Sequence, residues 1–212
     1  MKRGEPLPGR PGLALLGVVR GLVREAEELE GALDELRPEV VAPALSPEEV
    51  AGLTAHFVGR ATEPFVPLLG TETVEIRELG RYGEVRVPHP AFLAALEWAR
   101  RSGARVEPVD PSEEVYAELF ASKVGYVELV GRTLRERRLL RSPPRADGAE
   151  GFVVAWDRQL NRGRGSRALG RERERLVAER LRSLAHRERV ACVVDRERLE
   201  GLGTVLRAGA GG

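Results

Sequence analysis

Several charged residues of this chain stand directly after short runs that read as strands, where side chains from neighbouring strands could meet. Arg20 follows the run L-A-L-L-G-V-V, Asp110 follows R-V-E-P-V, and Asp195 follows V-A-C-V-V. Side chains at the carboxyl ends of parallel strands build the binding sites of open α/β sheets. A guanidinium has only N–H donors and stays protonated, so Arg20 could bind an anion but could not coordinate a metal. The pattern therefore favours ion-pair or anion-binding chemistry at one edge of a sheet.

The elements around these residues alternate between strands and helices. After Arg20, apolar residues at spacings of three and four predict an amphipathic helix that ends before Pro38. Val40 to Leu45 predicts a second short strand, and a strand, a helix and a strand in this order normally form a parallel sheet. We therefore predict an α/β protein with a single domain and a largely parallel central sheet flanked by helices. A helical section between Pro111 and Arg189 is predicted to precede the last strand.

Capping residues mark where two helices begin. Ser46 precedes Pro47 and stands three residues before Glu49, which is the pattern of a capping box. The run Asp110-Pro111-Ser112-Glu113 predicts a second capped helix start. Between them, alternating apolar residues around the turn sequence G-R-Y-G predict a β-hairpin over residues 73–87.

Composition restricts the class of protein. The 212 residues carry 34 Lys and Arg against 33 Asp and Glu, a formal net charge of +1, so no global field favours nucleic acid or a membrane surface. Cys192 is the only cysteine, which excludes an internal disulfide and fits a reducing compartment. No signal peptide is recognisable, and no apolar run approaches the ~20 residues of a membrane span. We expect a cytoplasmic protein with a domain over residues 1–207 and a disordered tail over residues 208–212.

Segments spread over most of the chain resemble the TraB/PrgY family, which is related to the Tiki proteases and to the erythromycin-esterase and ChaN-like fold. The first strand of that family ends G-x-x-H, and Arg20 stands at the position of the histidine. The segment R-P-E-V-V-A-P-A-L-S resembles a strand ending V-x-E-L, with Ala44 in place of the glutamate. The segment ending A-R-V-E-P-V-D resembles one that ends in an Asp-Arg pair, where Asp110 is kept and Pro111 replaces the arginine.

Two segments near the carboxyl end extend the resemblance. The run R-E-R-E-R-L-V-A-E-R-L is similar to the family's E-R-D-x-x-M helix, with Arg173 kept and Glu174 in place of the aspartate. The run R-V-A-C-V-V-D-R-E-R-L-E-G is similar to the last strand and its G-x-G-H-L loop. Asp195 follows that strand, and Arg198 stands where the second histidine would be.

The resemblance implies a metal-dependent hydrolase ancestry, with proteolysis or control of peptide signals in some members. Because both histidines and the glutamate are replaced, we expect no bound metal, no cofactor and no catalysis. The chain is then expected to act by binding a small anionic ligand or a protein partner. The candidate binding residues are charged residues at the strand ends and on the helix before the last strand: Arg20, Asp110, Arg173, Glu174, Asp195 and Arg198.

The role of the two substituted arginines stays open at this stage. Arg20 could be a solvent-facing side chain paired with a nearby glutamate. Alternatively, Arg20 and Arg198 replace the lost cation, either by bridging Asp110, Asp195 or Glu174 or by presenting an anion-binding pocket.

Other functions also remain open. One is an active metal-dependent hydrolase with a relocated site, although His56, His89 and His186 have no metal-binding spacing. Another is nucleic-acid binding through the arginine-rich residues 158–189, where interleaved glutamates and the absence of stacking aromatics favour an ion-paired surface instead. The predicted helix from Leu22 to Leu36 could also mediate a homodimer.

Overall fold

The secondary structure is predominantly helical. A computed structural model describes residues 6–7, 10–57 and 70–208. The elements are, in chain order, β1 (Pro6–Leu7), β2 (Arg10–Val18), α1 (Arg24–Leu36), β3 (Val40–Pro43), α2 (Pro47–Phe57), α3 (Gly70–Leu79), α4 (Pro90–Ser102), β4 (Arg105–Val106), α5 (Glu113–Lys123), α6 (Tyr126–Arg141), α7 (Ala149–Leu160), α8 (Arg164–Ala185), β5 (Val190–Asp195) and α9 (Arg196–Ala208). Within these described ranges, no helix has the length and apolar character needed to cross a membrane.

The central sheet is parallel, which confirms the predicted α/β fold. Its parallel strands lie in the order β2-β5-β3-β4, and β1 pairs with β2 in the antiparallel direction. The register places Val18 beside Asp195 and Pro43 beside Val193. These strands therefore end together, and we call this side of the sheet the carboxyl edge.

Helices cover both faces of the sheet, and β5 contributes to the core on each side. Ala191 and Val193 belong to a cluster with residues of α1, α2 and α4, whereas Cys192 and Val194 pack with residues of α8 and α9. A strand buried on both faces reads as a continuous apolar run, as V-A-C-V-V does. Desolvation raises the pKa of the Cys192 thiol to about 12, so this cysteine is an un-ionised core residue.

A third apolar cluster lies beyond the end of β2. Val19 and Leu22 pack there with Phe152 and Trp156 of α7, together with Leu139 of α6. The cluster places α3, α6 and α7 next to the carboxyl edge.

The capping residues act as predicted. The backbone N–H of Glu49 donates to Ser46 Oγ at 3.1 Å, and the backbone N–H of Ser46 donates to the Glu49 carboxylate at 2.9 Å. Ser112 Oγ accepts from the backbone N–H of Val115 at 3.4 Å. These contacts fix the starts of α2 and α5.

The β-hairpin predicted over residues 73–87 is wrong, because residues 70–79 form α3. Leu79 is buried in the third cluster and Val74 packs against it, an arrangement that a helix allows. Two alternating β-branched residues are too short a pattern to distinguish a strand from a helix. Of this segment, Val85 forms an isolated antiparallel bridge with Leu22.

The strand predicted to end at Asp110 is shorter, because only Arg105–Val106 forms β4. Pro108 has no N–H to donate, but the residues that bond to β3 are those on either side of it. The backbone N–H groups of Glu107 and Val109 still donate to Val41 and Pro43 at 3.0 and 3.1 Å. The segment therefore runs beside β3 and delivers Asp110 to the carboxyl edge.

Two further expectations change. The apolar stripe of α1, which includes Leu29 and Leu33, packs within the cluster that α1 shares with α4, so it does not offer a surface to a second copy. The predicted start of the disordered tail at Ala208 is one residue too early, because Ala208 is the last residue of α9. Residues 209–212 lie outside the described ranges.

Glu128 of α6 caps the N-terminus of α8. Its carboxylate accepts from the backbone N–H groups of Gly165 and Ser166 and from the Ser166 hydroxyl, each at 2.7 Å. These hydrogen bonds lower the pKa of Glu128, and the one from the Ser166 hydroxyl lowers it most. Gly165 permits the approach, because a Cβ there would lie 2.3 Å from the carbonyl oxygen of Lys123.

We expect the substitution Glu128→Ala to lower the free energy of unfolding by about 1–2 kcal/mol, because it removes the acceptor of otherwise unpaired helix N–H groups. Urea unfolding measures the loss. The matched control on the same helix is Glu136→Ala, which removes an ion pair with Arg132 and should cost about 0.5 kcal/mol or less. Equal losses in the two variants would contradict the capping role.

Candidate functional site

Arg20 lies at the carboxyl edge in a bidentate ion pair with Asp195. Nε donates to Oδ1 at 3.0 Å and Nη2 donates to Oδ2 at 2.8 Å. The remaining nitrogen, Nη1, is 3.7 Å from Glu49 Oε1, which is an ion-pair distance but too long for a hydrogen bond. The guanidinium carbon also lies 5.4 Å from the centre of the Phe92 ring. Arg20 is therefore held by a buried aspartate and not only by a surface glutamate.

The electrostatics of this pair follow from burial and mutual attraction. Desolvation opposes ionisation of both groups, but the Asp195 carboxylate holds the pKa of Arg20 above its ordinary value. In return, the Arg20 charge and its hydrogen bonds keep the pKa of Asp195 below its ordinary value, with a further contribution from Arg198. Both groups are therefore charged at neutral pH.

A second ion-pair group centres on Asp110, whose surface is 1% exposed. Arg198 donates to its carboxylate through Nη1 at 2.9 Å and Nη2 at 3.3 Å. Arg173 donates to it through Nε at 2.8 Å, and also through Nη2. The guanidinium of Arg173 in turn lies 5.3 Å from the ring centre of Tyr116. One carboxylate thus holds two guanidiniums from different helices.

The sixth predicted residue, Glu174, belongs to neither group. Its carboxylate lies against α9 at Gly201, where an added Cβ would be 2.2 Å from Oε1. Desolvation raises the pKa of Glu174, and the positive charge of Arg198 partly offsets this. The structure therefore brings five of the predicted residues into two ion-pair groups and leaves Glu174 beside them.

Three further titratable residues near the Arg20–Asp195 pair were not predicted. Burial, with a contribution from the Asp195 charge, raises the pKa of Glu75 to about 7 and that of Glu197 to about 8. Burial, together with the Arg20 charge, lowers the pKa of His89 to about 4. The Nδ1 atom of His89 is buried and has no hydrogen-bond partner in the described ranges. The pair therefore has two carboxyls near it that titrate close to neutral pH, and one imidazole that is neutral there.

The sequence contained a signal for only some of these residues. Glu197 stands next to Arg198 in the loop after the last strand, so its position was available. His89 lies between Pro88 and Pro90, immediately before α4, and was considered only as a metal ligand. Glu75 could not be recognised as a site residue, because the segment that contains it is predicted from the sequence to be a β-hairpin.

Three helices begin at the carboxyl edge, and their N-termini add positive partial charge to it. α2 and α9 start just after β3 and β5, and α4 starts two residues before Phe92, which contacts Arg20. Unpaired N–H groups at a helix N-terminus favour negative charge nearby. The field at this edge therefore supports the buried carboxylates and would also support an anion.

A groove of about 700 Å³ lies at the opposite edge of the sheet, lined in part by Arg37, Trp98 and Arg189. Trp98 there donates to Asp34 at 2.8 Å. None of the predicted site residues lines this groove, where Arg189 pairs with Glu39.

No known protein family and no curated protein matches this chain. Among the described residues, no group of three or more His, Cys, Asp and Glu side chains is arranged to hold a metal ion. What the edge does contain is two buried aspartates bound to arginines, with protonatable carboxyls around them.

Replacing the shared carboxylate should be costly. We expect Asp110→Asn to lower the free energy of unfolding by about 3 kcal/mol or more, because it leaves Arg173 and Arg198 facing each other without a counter-charge. Chemical denaturation measures the loss. The control Arg175→Ala breaks a pair with Glu172 on the helix surface and should cost far less, because an exposed ion pair adds little stability. A similar loss in both proteins would show that Asp110 is not a structural counter-ion.

The carboxyls of Glu75 and Glu197 should make the protein less stable in base. Their pKa values are raised from an ordinary 4.5 to about 7 and about 8, so the folded chain binds their protons more tightly than the unfolded chain does. This stabilisation is complete below pH 4.5 and is lost as the pH rises through 7 and 8.

A Glu75→Gln and Glu197→Gln double variant should therefore lose less stability than the original protein between pH 6 and pH 9, measured by thermal unfolding across that range. Glu200→Gln, an exposed change on α9, should leave the pH dependence as it is. If the double variant keeps the original pH profile, these two carboxyls do not titrate in this range.

Proposed function

We propose that this chain is a catalytically inactive TraB-like domain that binds a small anionic ligand at the carboxyl edge. The observation that carries the proposal is the orientation of Arg20. Asp195 fixes two of its guanidinium nitrogens, while Nη1 makes no hydrogen bond to a described residue and the side chain is 31% exposed. A guanidinium that is held on one side, and that on the other makes only the longer ion-pair contact with Glu49, can bind a carboxylate or phosphate with little loss of side-chain freedom.

The groups around Arg20 can accept an anion. Glu75 and Glu197 would repel one if both were ionised. With a pKa of about 8, Glu197 is largely protonated at neutral pH, and Glu75, with a pKa of about 7, is protonated about as often as it is ionised. A protonated carboxyl donates a hydrogen bond instead. The ligand class is therefore a carboxylate or a phosphate with further polar groups.

The same residues do not fit a divalent cation. The aspartates that could ligate a metal are each bound to arginines, and Arg20 and Arg198 would repel the ion. In the proposed ligand site, the guanidiniums of Arg20 and Arg198 take the place of the metal ion that the family resemblance implies. A role in regulatory or peptide-signal control belongs to this proposal as well.

The alternative functions find less support. Among the arginines of residues 158–189, Arg173 is bound to Asp110, and Arg175 is bound to Glu172 and Glu179. Such pairs reduce the positive charge available to nucleic acid. A hydrolase with a relocated site would need a metal or a nucleophile with a base, and Cys192, the only thiol, is buried and un-ionised.

Ligand binding is tested by thermal unfolding with inorganic phosphate and with succinate, at constant ionic strength because salts alone change stability. The midpoint should rise with ligand concentration, as expected for binding to the folded state. Arg20→Ala should lose most of this rise. Arg175→Ala, which removes an exposed arginine on α8, should keep it.

Two results would overturn the proposal. One is an equal rise of the midpoint in the original protein, in Arg20→Ala and in Arg175→Ala. The other is purification with stoichiometric zinc or manganese together with a hydrolytic activity that chelation removes.

A further inference from the structure

The exposed apolar side chains of the described ranges are concentrated on two consecutive helices. Every large hydrophobic residue that is exposed there belongs to α5 or α6: Val115, Tyr126, Val127, Leu129, Val130, Leu134 and Leu140. Tyr126 and Val127 are 81% and 85% exposed. Exposed apolar residues concentrated on neighbouring elements mark an interaction site more often than scattered ones do.

These helices contribute very little to the core. α5 has no buried residue, and α6 has only Leu139. The inward side of α6 is instead held by polar contacts. Glu128 caps α8, and Arg135 Nε donates to the carbonyl oxygen of Leu160 at 3.2 Å.

The outward side of α6 has two halves of different character. Tyr126, Val130 and Leu134 follow one another at four-residue spacing and are exposed. Arg137 and Arg141 continue the same side and are also exposed. Neither arginine forms an ion pair with a residue in the described ranges.

α5 carries the opposite charge. Glu114 and Glu118 lie on its exposed side, and their carboxylates have no ion-pair partner among the residues that the structure describes. Going from α5 to the end of α6, the surface is therefore acidic, then apolar, then basic. We call this the α5–α6 surface.

We propose that the α5–α6 surface binds a second copy of this chain in a two-fold symmetric dimer. A two-fold axis through the apolar centre brings the same patch of both chains together. The acidic helix of each copy then faces the basic half of α6 in the other, so the unpaired charges of both ends find partners. The apolar residues in the middle are buried at the same time.

The charge pattern favours a second copy over a membrane. Arg137 and Arg141 would attract anionic headgroups, but Glu114 and Glu118 on the preceding helix would be repelled by them. A membrane would leave the acidic end unpaired, whereas a second copy satisfies both ends.

The dimer is tested by sedimentation equilibrium of the full chain over a range of concentrations, with exchanges of charge at each end. The basic-end variant is Arg137→Glu with Arg141→Glu, and the acidic-end variant is Glu114→Arg with Glu118→Arg. Each variant alone should raise the dimer Kd by about tenfold or more, because like charges then face each other. All four changes in one chain should restore the original Kd.

Mixing the two variants provides the sharper result, because each should pair with the other in preference to itself. Thermal unfolding of each variant, read at a concentration where the protein is monomeric, serves as the control for folding, since all four positions are exposed.

A chain that stays monomeric at all concentrations overturns the proposal. The proposal is also overturned if the chain forms a dimer whose Kd is the same in the original protein and in the charge variants, and if the two variants do not pair in the mixture. Binding of the monomeric protein to phosphatidylserine vesicles would assign the surface to a membrane instead. None of these outcomes depends on ligand binding at Arg20.

Discussion

The carboxylate of Asp110 joins parts of the chain that are far apart in sequence. Arg173 of α8 and Arg198 of α9 both donate to it, from 63 and 88 residues away. Its backbone N–H donates to Leu45 at 3.2 Å, which ties it to the end of β3. A carboxylate this deeply buried is stable in its ionised form only because it is paired and hydrogen-bonded. Apolar contacts hold α8 and α9 against the sheet, and the shared carboxylate fixes where their arginines stand at the carboxyl edge.

The charges at the carboxyl edge form one connected system. Asp195 is bound to Arg20, yet the charge of Arg198 also contributes to the low pKa of Asp195. Arg198 belongs to the Asp110 group, so the two ion-pair groups influence each other. Arginines that bind buried carboxylates have few N–H donors left for a ligand. In Arg20, the remaining donor is Nη1. The fold and the proposed ligand site thus use the same side chains, which restricts how far the site can change without loss of stability.

The alternation of strands and helices was enough to predict where Arg20, Asp110 and Asp195 would lie, because the ends of parallel strands meet at one edge. Their pairing could not be predicted in the same way. Arg20 meets Asp195 because β5 is inserted between β2 and β3, and the order of strands in a sheet is set by packing over the whole chain. Glu75 was missed for a local reason, since a short alternating pattern in α3 was assigned to strands.

Helix α6, whose polar side chains face inward and whose apolar side chains face outward, shows a second limit of sequence patterns. In α1, Leu29 and Leu33 face the core and charged residues face solvent, as amphipathic periodicity predicts. In α6, Glu128 and Arg135 face inward while Tyr126 and Val130 face outward. Arg135 Nη2 is buried there without a hydrogen-bond partner in the described ranges, which is unfavourable. An arrangement with polar groups inside and apolar groups outside gains little in an isolated chain. It becomes favourable when a partner covers the outer side, and a second copy that carries complementary charge supplies such a cover.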